Sequence, residues 1–330
     1  MLDYIRIACA VPAVKVGDVK KNTADICAYL AKADAQNVDI VVFPELAMTG
    51  YTCGDLFYQE TLHNSVDKGL LEILETSRSY PQLTAVFGLP VRMGMQLANC
   101  AAVVSDGCIR GLVSKTFLPD YAGFNESRWF TAVEEGTYVP LAGQEVSLGT
   151  DLLYRVGETT VGIEVCEDLF APIAPSSFHA LNGAEVILNL AACPQQVGKK
   201  QERTELVKAQ SVAGKCVYAF VSAGCTESTS DLVFSGHSVI AENGTVLAES
   251  EGVVASDYLL VQDCDLGRIR ADRRKNATFR NCAQRYAGGM LTTVGGTDSL
   301  RSDGALYPLL LWRFPCQNAP LHESWQVLID

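Results

Sequence analysis

The chain has 330 residues, 48% of them apolar and 19% charged, which is enough to build a sizeable core and too apolar for a disordered chain. A formal charge of −12 and a pI near 4.9 argue against a nucleic-acid or anionic-membrane partner, since both need a basic face. Twelve cysteines with no Cys-x-x-Cys, four histidines (His63, His179, His237, His322) without zinc-like spacing, and an N-terminus with no basic-then-apolar leader predict a metal-free cytoplasmic protein with reduced, mostly buried thiols.

Residues 5–11 read as a first strand, and 19–36 as a helix because Ile26, Tyr29, Leu30 and Ala33 recur at helical spacing. The mostly apolar run 38–43 stops at Pro44, as expected of a strand buried on both faces. Leu62, Val66, Leu70, Leu71 and Leu74 mark a second amphipathic helix, and 84–90 the next strand. Asp106-Gly107 tolerates positive φ and predicts a hairpin between 98–105 and 108–114. Residues 161–165 form a strand leading to Cys166, with a helix expected after it. Strand 184–190, helix 199–214 and strand 216–222 follow, then a hairpin at Asn243-Gly244 and a last strand over 258–264. Strands alternating with helices but interrupted by hairpins predict an α/β fold of stacked mixed sheets covered by helices. Arg268, Arg270, Arg273, Arg274 and Lys275 read as a solvated helix face, and 276–330 as a tail or linker.

No Gly-x-Ser-x-Gly elbow, Walker A loop, dinucleotide fingerprint or His-Glu-x-x-His occurs. Gly295-Gly296-Thr297-Asp298-Ser299 resembles the pyrophosphate loop of ATP pyrophosphatases, but too little chain follows for the domain such a loop needs, and a glycine-rich turn is the better reading. Three other positions stand out: Glu45 where a buried strand ends, Lys115 where the first hairpin closes, and Cys166 at a strand-to-helix junction. Taken singly, a cysteine after a strand is usually a small core residue, and a lone glutamate or lysine is usually solvated. Taken together they suffice for amide cleavage without histidine: a thiolate attacks, a carboxylate moves protons and an ammonium stabilises the oxyanion.

The runs that carry these residues are Phe43-Pro44-Glu45-Leu46 with Thr49-Gly50-Tyr51 and Asp55-Leu56, and Lys115 with Leu118-Pro119-Asp120-Tyr121, Phe124, Glu126 and Arg128-Trp129-Phe130. The third is Glu164-Val165-Cys166-Glu167-Asp168. They resemble the nitrilase superfamily of carbon–nitrogen hydrolases with its Glu-Lys-Cys triad, and more narrowly the N-terminal glutaminase domain of glutamine-dependent NAD+ synthetases, over about residues 3–280. The resemblance implies a four-layer α-β-β-α sandwich that pairs with another subunit, spanning here residues 1–275. It implies hydrolysis of L-glutamine through a γ-glutamyl thioester on Cys166, with Glu45 as base and then acid, and Lys115 and the Glu167 N–H holding the oxyanion. By the same resemblance Glu126 positions the substrate or the lysine, and Tyr121 and Glu167 meet the amino-acid end of glutamine. Lys199 stands where a basic glutamine-binding residue lies in the family. Cys193 replaces a serine that normally contacts glutamine, and a thiol is the weaker donor.

No cofactor is implied for the glutaminase reaction. ATP and Mg belong to a synthetase domain that is expected to be absent from this chain and to be supplied, if at all, by a separate partner. The missing domain and Cys193 leave two other readings open at this point: a free-standing amidase for another small amide, and an inactive subunit that binds a synthetase.

Overall fold

The computed structural model describes residues 3–133, 136–251, 256–286, 291–293 and 310–312. In chain order the elements are β1 (Tyr4–Val11), α1 (Val19–Asp34), β2 (Ile40–Val42), α2 (Glu60–Ser77), β3 (Thr84–Met93), β4 (Gln96–Ser105) and β5 (Cys108–Ser114). Next come β6 (Thr137–Leu141), β7 (Gln144–Gly149), β8 (Leu153–Val156), β9 (Thr159–Val165), α3 (Pro175–Leu181), β10 (Val186–Ala191), α4 (Lys199–Gly214) and β11 (Val217–Ser222). The described fold ends with β12 (Ser238–Glu242), β13 (Thr245–Glu249), β14 (Tyr258–Asp265), α5 (Leu266–Lys275) and α6 (Ala277–Tyr286). Leu291–Thr293 and Leu310–Trp312 pair as a separate antiparallel ladder.

The strands form two mixed sheets, one in the order β14-β1-β2-β3-β4-β5-β7-β6 and the other β13-β12-β11-β10-β9-β8. β1, β2 and β3 run parallel to one another, as do β9, β10 and β11, while β14 lies antiparallel on the open side of β1. β1 shows why its sequence is almost continuously apolar. Ile5, Ile7, Cys9 and Val11 enter the core between the sheets, whereas Ala8 and Ala10 face the core beneath α1 and α2. On the far side α3 and α4 pack on β9 to β12. The result is the four-layer α-β-β-α sandwich, with the central parallel strands of each sheet buried on both faces, as such strands require.

Local signals explain the element ends. The Asp18 carboxylate accepts from the Lys21 N–H at the start of α1, and Asp265 does the same for Arg268 at the start of α5. Asp106 and Gly107 both have positive φ, as the β4–β5 hairpin demands.

Three findings differ from the sequence reading. β6, β7 and β8 lack a clean alternation, and β6 is largely exposed, so the sequence carried no hydrophobic period there. The segment after Cys166 is a short 3₁₀ turn, Cys166–Phe170, and the helix begins only at Pro175. The basic run on α5 is not a plain solvated face. Arg270 pairs with Glu185 and Asp3, and Arg273 donates to the carbonyls of Gly183, Ala184, Gly214 and Lys215, which closes the C-terminal ends of α3 and α4. Gly295–Ser299 and most of 276–330 lie outside the described residues. Among the described residues no helix is long and apolar enough to cross a membrane.

Candidate active site

Glu45, Lys115 and Cys166 follow the ends of β2, β5 and β9, two strands of one sheet and one of the other. Pro44 stops the β2 ladder, and Gly88 on β3 lets the chain at Glu45 lie directly against the sheet. A Cβ on Gly88 would stand 2.0 Å from the Leu46 nitrogen and 2.8 Å from the Glu45 Cα. The Glu45 N–H reaches across to the Ala191 carbonyl at 3.4 Å, which ties this turn to the second sheet.

The Lys115 Nζ donates to Glu45 Oε1 at 2.7 Å and to Glu126 Oε1 at 2.6 Å. The lysine and Glu45 side chains are fully buried. Burial alone would lower the Lys115 ammonium, but the charges of Glu45 and Glu126 outweigh it and hold it well above the ordinary lysine value. Asn99 Nδ2 also donates to Glu45 Oε1, at 2.6 Å. Glu45 Oε2 is buried and has no hydrogen-bond partner among the described residues. Glu126 Oε1 accepts a second bond from the Tyr51 hydroxyl at 2.8 Å, and burial pushes this carboxyl up to about 7 despite the nearby lysine. A buried ammonium thus sits between two carboxyl groups, each with a second buried oxygen that has no hydrogen-bond partner among the described residues.

Cys166 has φ +46, in the left-handed region, a strained setting for a residue with a Cβ, costing about 1–3 kcal/mol. Two bonds hold it there. Asn189 Oδ1 accepts from the Cys166 N–H at 3.2 Å, and Asp168 Oδ2 accepts from the Val165 N–H at 3.0 Å. The Cys166 Sγ faces Cys193 Sγ at 3.5 Å. The α-helix expected after Cys166 begins only at Pro175, so no α-helix N-terminus is there to lower this thiol. The hydrogen bond with Cys193 and then burial raise it well above the ordinary value, with Lys115 opposing. A thiol raised in this way rests protonated, so an attack by it would need a base to take the proton.

Comparison with known proteins decides the family. The model of the carbon-nitrogen hydrolase family matches residues 6–274. The chain belongs to the carbon–nitrogen hydrolases, the nitrilase superfamily. It is 33% identical over 282 residues to the glutamine-dependent NAD(+) synthetase of Mycobacterium tuberculosis, covering 84% of this chain and 41% of that protein. The structure of a glutamine-dependent NAD(+) synthetase from Cytophaga hutchinsonii is similar with a TM-score of 0.67 at 28% identity, over 79% of this chain and 43% of that one. An amidase of the nitrilase superfamily from Nesterenkonia AN1 shares the fold, with a TM-score of 0.65 at 22% identity, over 85% of this chain and 98% of that one. The chain thus spans about two-fifths of the length of the synthetases it matches.

The remaining predicted positions of this hydrolase fall into three groups. Cys193 joins Cys166 directly. Tyr121, which is 56% exposed, donates its hydroxyl to Glu167 Oε1 at 2.7 Å, beside the Cys166 turn. Lys199, in the first turn of α4, pairs with Glu202 at 2.9 Å and stands over the ring of Phe170, the last residue of that turn.

Four residues that sequence reading missed hold the candidate site in place. Asp168 accepts from the backbone N–H groups of Thr116 and Phe117, at 3.1 and 2.9 Å, as well as from Val165. One buried carboxyl therefore couples the segment after Lys115 to the turn at Cys166. Asn99 fixes Glu45, and Asn189 fixes Cys166. The almost fully buried Arg203 donates to the Pro194 carbonyl at 3.3 Å and to Gln195 Oε1 at 2.7 Å, pinning the chain just after Cys193. Its Nε meets His237 Nδ1 at 3.2 Å, and His237 Nε2 lies 2.9 Å from Glu249. Burial pushes His237 down to about 4, so the ring is neutral, protonated on Nε2 towards Glu249 and accepting from Arg203 on Nδ1. Only Asp168 had a usable signal, an acid two residues past the candidate nucleophile; the others depend on strand pairing. Among the described residues no cluster of three His, Cys, Asp or Glu side chains is arranged to hold a metal ion.

Proposed function

We propose that this hydrolase is a glutamine amidohydrolase that releases ammonia through a cysteine thioester, as the glutaminase part of an NAD+-forming system. The observation that carries the reading is the buried Lys115 between Glu45 and Glu126, at strand ends that meet the Cys166 turn through Asp168. The likeness to glutamine-dependent synthetases at 33% identity supports glutamine as the amide.

In this reading Glu45 Oε2, free of other partners, takes the Cys166 proton as sulfur attacks the γ-carbonyl carbon. Lys115, held as an ammonium, stabilises the tetrahedral oxyanion together with the Glu167 N–H. A lysine whose charge is held so firmly suits this electrostatic role and is a poor proton acceptor. Glu45 then gives its proton to the departing nitrogen, which leaves as ammonia, and a γ-glutamyl thioester remains. Water attacks the thioester, Glu45 again accepting the proton and returning it to sulfur, and glutamate leaves. Glu126 and Tyr51 keep the lysine aimed. Tyr121 and Glu167 receive the amino-acid end of glutamine, with Cys193 and Lys199 nearby.

Residues 1–275 would form the hydrolase domain, pairing with a second copy through the nitrilase-type face. The ammonia would pass to an ATP- and Mg-dependent synthetase domain or subunit. The deciding experiment measures ammonia and glutamate from L-glutamine for the wild type and Cys166→Ala. Wild-type turnover with a variant at background is expected, and equal rates would sink the proposal. Cys193 in place of serine favours one second reading, an amidase for another small amide. A panel of amides, with glutamine no better than the rest, would establish it.

A further inference from the structure

Two thiols in contact are a chemical unit as well as a packing detail. Cys166 and Cys193 leave the carboxyl ends of the neighbouring parallel strands β9 and β10, and their sulfurs lie 3.5 Å apart. Both positions are tied to the frame by hydrogen bonds. Asn189 and Asp168 hold the turn at Cys166, while the Cys193 N–H donates to Ser222 Oγ at 3.0 Å and Pro194 pairs with Phe234 as an isolated bridge. Side-chain rotation towards each other has about 1.5 Å to cover to reach a sulfur–sulfur bond. The sulfurs are 3% and 7% exposed by residue, beside the half-exposed Tyr121 and the partly buried Glu167.

We propose that Cys166 and Cys193 form a reversible disulfide when the protein meets a small peroxide, and that this bond closes the hydrolase site. The disulfide itself rests on the sulfur geometry alone; the loss of activity rests on the reading of Cys166 as nucleophile. In the first step the Cys166 sulfur attacks the near oxygen of the peroxide, with its proton taken by Glu45. The S–O bond forms, the O–O bond breaks, and the departing oxygen leaves as water or an alcohol with that proton. In the second step the Cys193 sulfur attacks the sulfenic sulfur. The S–S bond forms, the S–O bond breaks, and hydroxide leaves as water with the Cys193 proton. Two thiols are oxidised by two electrons in total and one peroxide is reduced by two. A serine at position 193 could not make the second step, so the thiol found here turns an oxidation that would run on to sulfinic acid into one that a reductant reverses.

The test treats the full chain with a slight excess of hydrogen peroxide at neutral pH and maps peptides without reduction. A Cys166–Cys193 linked peptide, about 2 Da lighter than the two free thiols, is expected, and dithiothreitol should remove it. Glutaminase activity should fall at least about tenfold in step with the linked fraction and return with dithiothreitol. Cys193→Ser, compared with its own untreated activity, should instead trap a dimedone-reactive sulfenic acid on Cys166 and then be lost beyond rescue. If Cys166 in the wild type is overoxidised with no link to Cys193, or is linked to another cysteine, the inference is overturned. Because the mapping uses the wild type and needs no substrate, it stands if the serine variant does not fold. A linked peptide in a protein with no glutaminase activity would leave the inference standing and remove the proposed function instead.

Discussion

Lys115 brings a full charge to a place without solvent contact, and it is tolerated there because two carboxylates meet its ammonium within hydrogen-bond distance. The same crowding sets the behaviour of Glu126, whose folded value of about 7 lies above its ordinary 4.5. A carboxyl raised in this way keeps its proton in the folded state while the unfolded chain has lost it. Its contribution to stability is fully present below about pH 4.5 and is lost as pH rises through about 7. Urea midpoints of the wild type should therefore fall relative to Glu126→Gln across that window and run parallel outside it. Curves parallel throughout would show that the carboxyl does not titrate there. Asp168 has a different vulnerability, because all three of its neighbours are backbone donors. Asp168→Asn turns one acceptor into a donor facing N–H groups. We expect a loss of about 1–3 kcal/mol in urea unfolding. Under the proposed function, glutamine hydrolysis should fall further than stability alone accounts for, since the residue joins the Lys115 and Cys166 segments.

At the scale of elements, the parts legible in the sequence were those whose hydrophobic period is set by a single, well-defined burial. β1, α1, α2 and the β4–β5 hairpin are of this kind, and so is the placing of Glu45, Lys115 and Cys166 at strand ends. What was not legible depends on contacts between distant elements. Asn99 reaches Glu45 only because β4 pairs with β3, and Arg273 reaches its carbonyls only because α3 and α4 end side by side. A run of arginines reads as solvated unless the chain ends it caps are known. Gly88 is the clearest case, an ordinary glycine in sequence and a point of backbone contact in the fold. Gly88→Ala would drive a methyl group into the Leu46 nitrogen and the Glu45 Cα, moving the carboxylate rather than the whole sheet. Under the proposed function, glutamine hydrolysis is expected to drop about a hundredfold, since small displacements of aligned groups are that costly. Thermal unfolding should show a loss of only about 1–3 kcal/mol. Unchanged kinetics would mean that Glu45 is not held through this contact.

For the whole molecule, the core between the sheets draws side chains from both of them, and the first sheet carries a second core, beneath α1 and α2, on its other face. Cys9 on β1, Cys100 on β4, Cys216 before β11 and Cys264 on β14 are almost wholly buried. Burial pushes their thiols up, those of Cys216 and Cys264 to about 12. Alkylation at pH 8 through a urea series should label all four along one curve that coincides with loss of circular dichroism. Earlier labelling of Cys216 than of Cys9, Cys100 and Cys264 would mean that the second sheet opens alone. Cooperative loss is expected because separating the layers exposes both faces at once.

The seat of β14 beside β1 also sets an order in time. Glu45, Lys115 and Cys166 are all synthesised well before Tyr258 leaves the ribosome, yet until β14 arrives β1 has a bare edge and the first sheet lacks its last strand. A half-made chain carries the thiol without the finished frame that aligns its two carboxylates and its ammonium. The candidate site is thus encoded early in the chain, while the sheet that carries two of its three residues is completed only by one of the last strands.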